Sequence, residues 1–523
     1  MENFEDKKNR GGYYTPNKVA DFIVSWAIDG TEKKILEPSC GDGVFIKSIA
    51  NNSHSNLAIS KIIGVELNKN ESEKAKMNNI DIINSDFFTL YKEHLKKTEF
   101  DLILGNPPFI RYQNFNKDFR DIALEELRAL GFSPTKMINI WLPFLILSTN
   151  LLNKNGRLGM VIPAELMQVD YASEAREFLM TVFEELTIIT FKNNIFENAQ
   201  QEVVLLLGKK SSESQGIRLI EVSDAEELFS IELDDYKFHQ VSPSKDKWLK
   251  LFMDSNEFDE FEQLSNSPKI LEFNNIAEVN VGVVTGQNKF FVINKDTVSS
   301  YNLSKSTIDI ISRSEQLKGF SLNDNDIEQL YSNGKKTKLF FPDDSLLPSD
   351  IKYIDFGESN EFHLGYKTRI RKKWYKVPVS WSPQAFFLRQ VHKFPKIVIN
   401  ETNSTCTDTI HKIRVKSGIS IENLAFSFMN SFTLLDCELK GRSYGGGVLT
   451  FEPGEVRKLR IPYYNFSREE MKKIKHLSEN ETIENLVQYI DELILKNYLN
   501  LTDYEISLIK RSWEKLNQRR LDR

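Results

Sequence analysis

Two consecutive prolines, Pro107 and Pro108, constrain this 523-residue chain more than any other feature. They follow Phe100-Asp101-Leu102-Ile103-Leu104-Gly105, an apolar run of strand length, and end that strand abruptly. Each proline fixes φ near about −65° and removes a backbone donor. Asn106-Pro107-Pro108-Phe109 therefore predicts a rigid turn whose carbonyls need partners other than helix or sheet N–H groups. The carboxyl end of a buried strand is where open α/β sheets place ligands. The turn is then an acceptor platform, extended by the Asn106 side-chain carbonyl and the flat face of Phe109. A planar group bearing NH2, either an aromatic base or a side-chain amide, has the hydrogens and the flat face that such a platform takes. A tight turn that merely closes a strand is the bland alternative, so the surrounding chain has to decide.

The segments before it predict successive strand–turn units. Lys34-Ile35-Leu36 reads as a short strand, and Glu37-Pro38-Ser39-Cys40-Gly41-Asp42-Gly43 turns from it into a helix. Gly41 and Gly43 let backbone approach a ligand at the first crossover of a doubly wound sheet. Ile46 stands where a dinucleotide fingerprint has its third glycine, so the loop is a poor pyrophosphate cradle; Glu37 and Asp42 suit a ligand carrying an amine or other positive charge. The next strand, Ile62-Ile63-Gly64-Val65-Glu66-Leu67, brings a carboxylate to the usual place of a ribose partner. Asp81-Ile82-Ile83 leads to Ser85-Asp86-Phe87-Phe88, an acid and an aromatic placed to flank a nucleoside base. A single strand-end acid is often only solvated. Four strands in a row ending in ligand-type residues describe a nucleoside-binding crevice at the carboxyl edge of a parallel sheet.

The net charge of −6 does not advertise a nucleic-acid binder, but it hides a local excess. Residues 361–420 hold twelve Lys and Arg against three acids, a surplus of nine, interleaved with Trp374, Tyr375, Trp381, Phe386, Phe387 and His392. That mix is expected where phosphates and base edges are met together, although a charge run is also an ordinary solvated face. Cys40, Cys406 and Cys437 form no CxxC or Cys/His cluster, so neither disulfides nor a metal site is expected. The charged N-terminus does not read as a signal peptide, and no apolar run reaches membrane-spanning length; a bacterial cytoplasm is the expected location, with no membrane partner.

The series Tyr14-Thr15-Pro16, the glycine turn at 37–43, Val65-Glu66-Leu67, Ser85-Asp86-Phe87-Phe88 and Asn106-Pro107-Pro108-Phe109 resembles the motif order of the DNA amino-methyltransferases that use S-adenosylmethionine. It is similar to the γ class in particular, the TaqI-type adenine-N6 enzymes, in which cofactor motifs precede the catalytic motif and target recognition comes last. The resemblance implies a Rossmann-like α/β domain, with a mostly parallel seven-stranded sheet and helices on both faces. An α+β target-recognition domain and a helical C-terminal segment follow. The expected limits are 1–240, 241–465 and 466–523.

By the same resemblance, Glu37, Pro38, Cys40 and Gly41, with Asp42 and Gly43, line the methionine end of the cofactor, and Thr15 closes over its carboxylate. Glu66, beside Leu67, holds the ribose; Asp86 and Phe87 flank the adenine; Phe144 is a further cofactor contact, although Pro143 weakens the helical reading there. Asn106, Pro107, Pro108 and Phe109 are the catalytic turn, and Phe196 is a second aromatic against the target base. The Asn106 amide oxygen and the Pro107 carbonyl would accept from the two N–H groups of adenine N6 and localise its lone pair for direct attack on the methyl group. The base must leave the duplex stack, and Phe109 with Phe196 would replace the lost stacking. Cytosine-C5 chemistry needs a cysteine nucleophile, usually after proline, and none of the three cysteines follows one.

In the C-terminal half, Lys367, Arg369, Arg371, Lys372, Lys373, Trp374, Tyr375, Arg442 and Tyr444 are the expected DNA contacts. Double-stranded DNA is the expected partner of a monomeric enzyme; a separate cognate restriction endonuclease and a solitary role both stay open. The short stretch before the first cofactor loop implies no upstream nuclease. The rival readings are methylation of an RNA guanine amine or a protein glutamine amide, and a DNA-binding specificity subunit without catalysis.

Overall fold

The predicted strands 34–36, 62–67, 81–83 and 100–105 appear as β1 (Lys34–Glu37), β2 (Lys61–Glu66), β3 (Asp81–Asn84) and β4 (Phe100–Gly105). β1, β2 and β4 are buried for most of their length, as parallel strands covered by helices must be, while β3 is a half-buried edge. The computed structural model describes residues 15–52, 61–77, 80–111, 114–135, 138–193, 195, 202–213, 215–240, 243–378, 381–444 and 446–522. They fall into two compact units, Met1–Phe252 and Met253–Asp522.

In the first unit β5 (Leu152–Pro163), β6 (Glu185–Phe191), β7 (Val203–Lys209) and β8 (Gly216–Val222) complete one sheet in the order β3-β2-β1-β4-β5-β7-β6-β8. Only β7 runs against its neighbours β5 and β6; every other pairing is parallel. Among the described residues the sheet thus has eight strands, one more than the seven expected. β8 was hidden because Arg218 and Glu221 interrupt its apolar pattern; in the fold Arg218 is buried against Thr187 and Glu185, at 2.8 Å and 3.1 Å. Strand order reverses between β1 and β4, so the crevice beyond their carboxyl ends is the topological switch point where such sheets bind ligands.

The helix Trp141–Asn150 tolerates Pro143 because the proline lies in its first turn, where N–H groups have no helical acceptor. Phe144 is thereby placed one residue further into a helix that is buried from Trp141 to Thr149.

The second unit is α+β. A five-stranded sheet runs Ala277–Val281, Ile410–Val415, Ala385–Leu388, Ile397–Asn400 and Ser321–Leu322. Beside it lies an aromatic core in which Phe290 stacks on Tyr353 at 4.7 Å and packs against Phe291, Phe340 and Trp374. Arg468–Asn480, Ile483–Asp491 and Asp503–Leu521 are helices of this same unit. Arg520 of the last helix is buried in a two-point ion pair with Glu438, at 2.8 Å and 2.7 Å.

Candidate active site

Four strand ends of the first unit open on one cavity of about 490 Å³. β1 delivers Glu37 and the turn Pro38, Ser39, Cys40, Gly41 and Asp42; β2 delivers Glu66, Leu67 and Asn68; Ser85, Asp86 and Phe87 follow β3; Asn106 and Pro108 follow β4. Thr15 and Phe144 complete the wall. Every residue expected to contact the cofactor is in this lining except Gly43. Gly43 works from behind: its φ of +82° lets the turn enter the helix Val44–Asn51, and a Cβ there would stand 3.0 Å from Ala75 Cα.

The carboxylates differ in kind. Glu66 accepts from the Gly41 N–H at 2.9 Å and the Asn68 N–H at 2.7 Å, which fixes its plane. Asp86 caps the helix Phe87–Leu90 by accepting from the N–H and hydroxyl of Thr89, at 2.8 Å and 2.9 Å; burial still pushes its pKa up. Glu37 is only 2% exposed and its Oε2 has no hydrogen-bond donor among the described residues. Burial first, and then the like charges of Asp42 and Glu66, push its carboxyl well above the ordinary value. A buried acceptor left in this state costs about 1–3 kcal/mol. A cation bound there would remove that cost.

The opposite wall is aromatic: Phe144 stacks on Phe87 at 5.1 Å with 17° between planes and meets Phe88 edge-on at 4.7 Å. At the third side, Asn106 Nδ2 donates to Thr15 Oγ1 at 3.1 Å, and Ser39 Oγ donates to the Asn106 main-chain carbonyl at 3.3 Å. The first bond ties the Asn106 amide to Thr15, a positioning role that the sequence did not reveal. Pro107 and Phe109 are buried and lie outside the lining; Phe196 falls outside the described residues.

The basic run of the second unit is largely consumed by the fold. Lys396 is buried with its ammonium on the Gly319 carbonyl at 2.8 Å; Arg389 pairs with Glu452 at 2.6 Å, Lys393 with Glu484 at 2.5 Å and Arg414 with Glu278 at 2.7 Å; Lys376 pairs with Asp344 at 3.2 Å, and Lys373 reaches the same acid at 3.9 Å. Among the described residues, Lys367, Arg369 and Lys372 are exposed and make no ion pair. Arg371 donates to the Val284 carbonyl at 2.7 Å and lies over the Phe291 ring. Trp374 donates to Glu358 at 2.9 Å from within the aromatic core, with Tyr375 against it. Arg442 is held by Glu455, and Tyr444 lies in the strand Arg442–Tyr444. Among the described residues no group of three His, Cys, Asp or Glu could hold a metal ion, and no helix is long and apolar enough to cross a membrane.

The profile of the family described as N-6 DNA Methylase matches residues 1–288 of this chain. The chain belongs to that family. A second profile, that of the C-terminal domain of the type II methyltransferase M.Eco57I, matches residues 245–495. The type II methyltransferase M.AccI of Acinetobacter calcoaceticus is 24% identical over 87% of this chain and 85% of its own length, and M.HindII of Haemophilus influenzae is 23% identical over 58% and 59%. Among solved structures, the type IIL restriction-modification enzyme MmeI in complex with DNA shares the fold at TM-score 0.59 and 12% identity, covering 98% of this chain and 76% of that one. A DrdV–DNA complex does so at 0.53 and 13%, over 91% and 58%.

This N-6 DNA methylase family member has cavity residues that motif reasoning passed over. Ile110, Asn114, Phe115 and Asn116 come from the loop after the proline turn, with Phe115 edge-on to Phe88 at 6.0 Å. Asn116 was legible as a helix cap, since it accepts from the Asp118 N–H at 2.9 Å before Lys117–Ala129. That these residues line the crevice has no local signal.

Proposed function

We propose that this protein transfers a methyl group from S-adenosylmethionine to the N6 amine of an adenine turned out of duplex DNA. It acts as the site-specific modification enzyme of a bacterial restriction–modification system or as a solitary methylase. The observation that carries the reading is that Asn106 and Pro108 of the proline turn line the same cavity as the acid-and-aromatic crevice of β1 to β3. The donor set fits the cofactor. Glu37 is a buried carboxylate lacking a donor and would take the ammonium; Glu66 would take the ribose hydroxyls; Asp86, with the stacked Phe87 and Phe144, would take the adenine. When bound, that group supplies a methyl activated on a positively charged sulfur.

The chain's own contribution is positioning and electrostatics. Thr15 holds the Asn106 amide so that its oxygen can accept from the target amine, with the Pro107 carbonyl as second acceptor. No cysteine competes as nucleophile: Cys40, Cys406 and Cys437 are all buried, and burial pushes each thiol far above its ordinary pKa. This speaks against the covalent route that cytosine-C5 methylation requires. Family membership and the intact proline turn favour catalysis on DNA over an RNA guanine, a protein glutamine or a specificity role without catalysis. We place the protein in the cytoplasm as a monomer, beside a separate endonuclease where one exists.

The test is to incubate the protein with duplex DNA and methyl-labelled cofactor and to digest the product to nucleosides. The label is expected in N6-methyladenine. Label in cytosine, or only in RNA or protein, refutes the proposal.

A further inference from the structure

Three of the large apolar side chains exposed on this protein lie within residues 364–370 of the second unit, and two more lie on the 281–287 segment that contacts this stretch. Leu364, Tyr366 and Ile370 are 54%, 67% and 61% exposed, and Val281 and Val284 are 37% and 39% exposed. The two segments are locked together. Gly286 lies so close to Lys367 that a Cβ would stand 2.5 Å from the lysine Cβ, the side-chain amide of Gln287 lies against Gly365, and Arg371 donates to the Val284 carbonyl. Thr368 is buried and donates to the Phe362 carbonyl at 2.9 Å, fixing the helical turn Tyr366–Arg369. Tyr366 and Ile370, four residues apart on that turn, therefore project from one side of it.

A rigid scaffold that exposes grouped apolar side chains marks an interaction surface. Its rim says what kind. Lys367, Arg369 and Lys372 flank the apolar residues without an ion pair among the described residues, whereas the other cations of the run are largely taken up by acids or carbonyls of the fold. Unneutralised cations around an apolar centre match a groove of duplex DNA, where phosphates border base edges and thymine methyl groups.

We infer that Tyr366 and Ile370 enter a groove of the DNA substrate and contact base edges, with Lys367, Arg369 and Lys372 on the flanking phosphates. Arg371 is a positioning residue that holds the 281–287 loop against this turn. The inference rests on the proposed DNA substrate and assigns its readout to apolar side chains that a charge-based reading omits.

The test uses the full chain, after the wild-type recognition sequence has been read from methylated DNA. Tyr366→Ala and Ile370→Ser are expected to lower kcat/KM on the cognate duplex by roughly 10- to 100-fold and to relax discrimination at one or two base pairs, with cofactor affinity and Tm unchanged. Lys367→Gln with Lys372→Gln is expected to weaken binding uniformly across sequences and to reduce the salt slope by about two. Apolar variants with wild-type kinetics and an unchanged methylation pattern overturn the inference. So does loss of a protein partner with DNA kinetics intact, which would make the patch a protein-docking face. A wild-type protein that binds cofactor but marks no duplex sinks the underlying DNA reading instead, and the two failures are told apart by that control.

Discussion

Glu37→Gln tests the cofactor end of the crevice in two directions at once. The wild-type carboxyl is buried, has one oxygen without a donor and faces Asp42 and Glu66, so it is destabilising until a cation arrives. Glutamine keeps the shape and removes the charge, and its amide can donate toward either acid. The variant without cofactor is therefore expected to be more stable than wild type by roughly 1–2 kcal/mol, a rise of a few degrees in Tm. Cofactor affinity moves the other way. One charge-assisted hydrogen bond is worth about 1.5–3 kcal/mol, so Kd should rise roughly 10- to 150-fold.

The pH dependence follows from the raised pKa. Between the ordinary value of 4.5 and the higher value in the folded chain, the folded state holds a proton that the unfolded chain has released. This contribution to wild-type stability is complete below 4.5 and is lost as pH rises through the folded pKa; Glu37→Gln should lack that slope. At a pH below the folded pKa, cofactor binding to wild type should release a proton, visible in calorimetry as a heat that depends on the buffer's ionisation enthalpy. A variant that unfolds earlier and binds cofactor within twofold of wild type would refute the reasoning.

Thr15→Val removes the acceptor for Asn106 Nδ2 and should lower kcat by about tenfold or more, with cofactor Kd changed far less; equilibrium binding beside single-turnover rates separates the two. Phe144→Ala deletes a buried ring stacked on Phe87 and should cost about 3–5 kcal/mol in denaturant unfolding, with weaker cofactor binding. Glu438→Gln leaves Arg520 buried without its counter-charge, and a loss of about 3–5 kcal/mol is expected in the unfolding of the second unit. Asp491 is raised by burial from 3.8 to about 7 although Ser431 donates to it twice, so its stabilising protonated form is lost as pH climbs from about 4 to 7; Asp491→Asn should flatten Tm across that window.

The crevice was legible because its chemistry sits at strand ends, where short apolar runs stop at glycine, proline or an acid and the side chains have little choice of direction. Glu37, Glu66, Asp86 and Asn106 could be placed on one edge from spacing alone. What spacing could not show was depth. It did not reveal that Phe109 is buried outside the cavity lining, that Phe115 lines the crevice, or that Thr15 bonds to Asn106. β8 was missed for a related reason, since a buried Arg218–Glu185 pair looks in sequence like two surface charges. The basic run misled in the opposite sense: a linear count gave nine surplus charges, but acids distant in the chain, such as Glu278, Glu452 and Glu484, neutralise much of it. Pairing of that range is fixed by the tertiary fold and leaves no trace in local composition.

The most direct measurement of the central claim is single-turnover methylation of duplex DNA by Asn106→Ala, run beside equilibrium cofactor binding. The account predicts that transfer to adenine falls by at least about a hundredfold while cofactor affinity stays within a few-fold of wild type. Transfer at a rate near wild type would contradict it, because the amine would then be held by something other than the turn after β4.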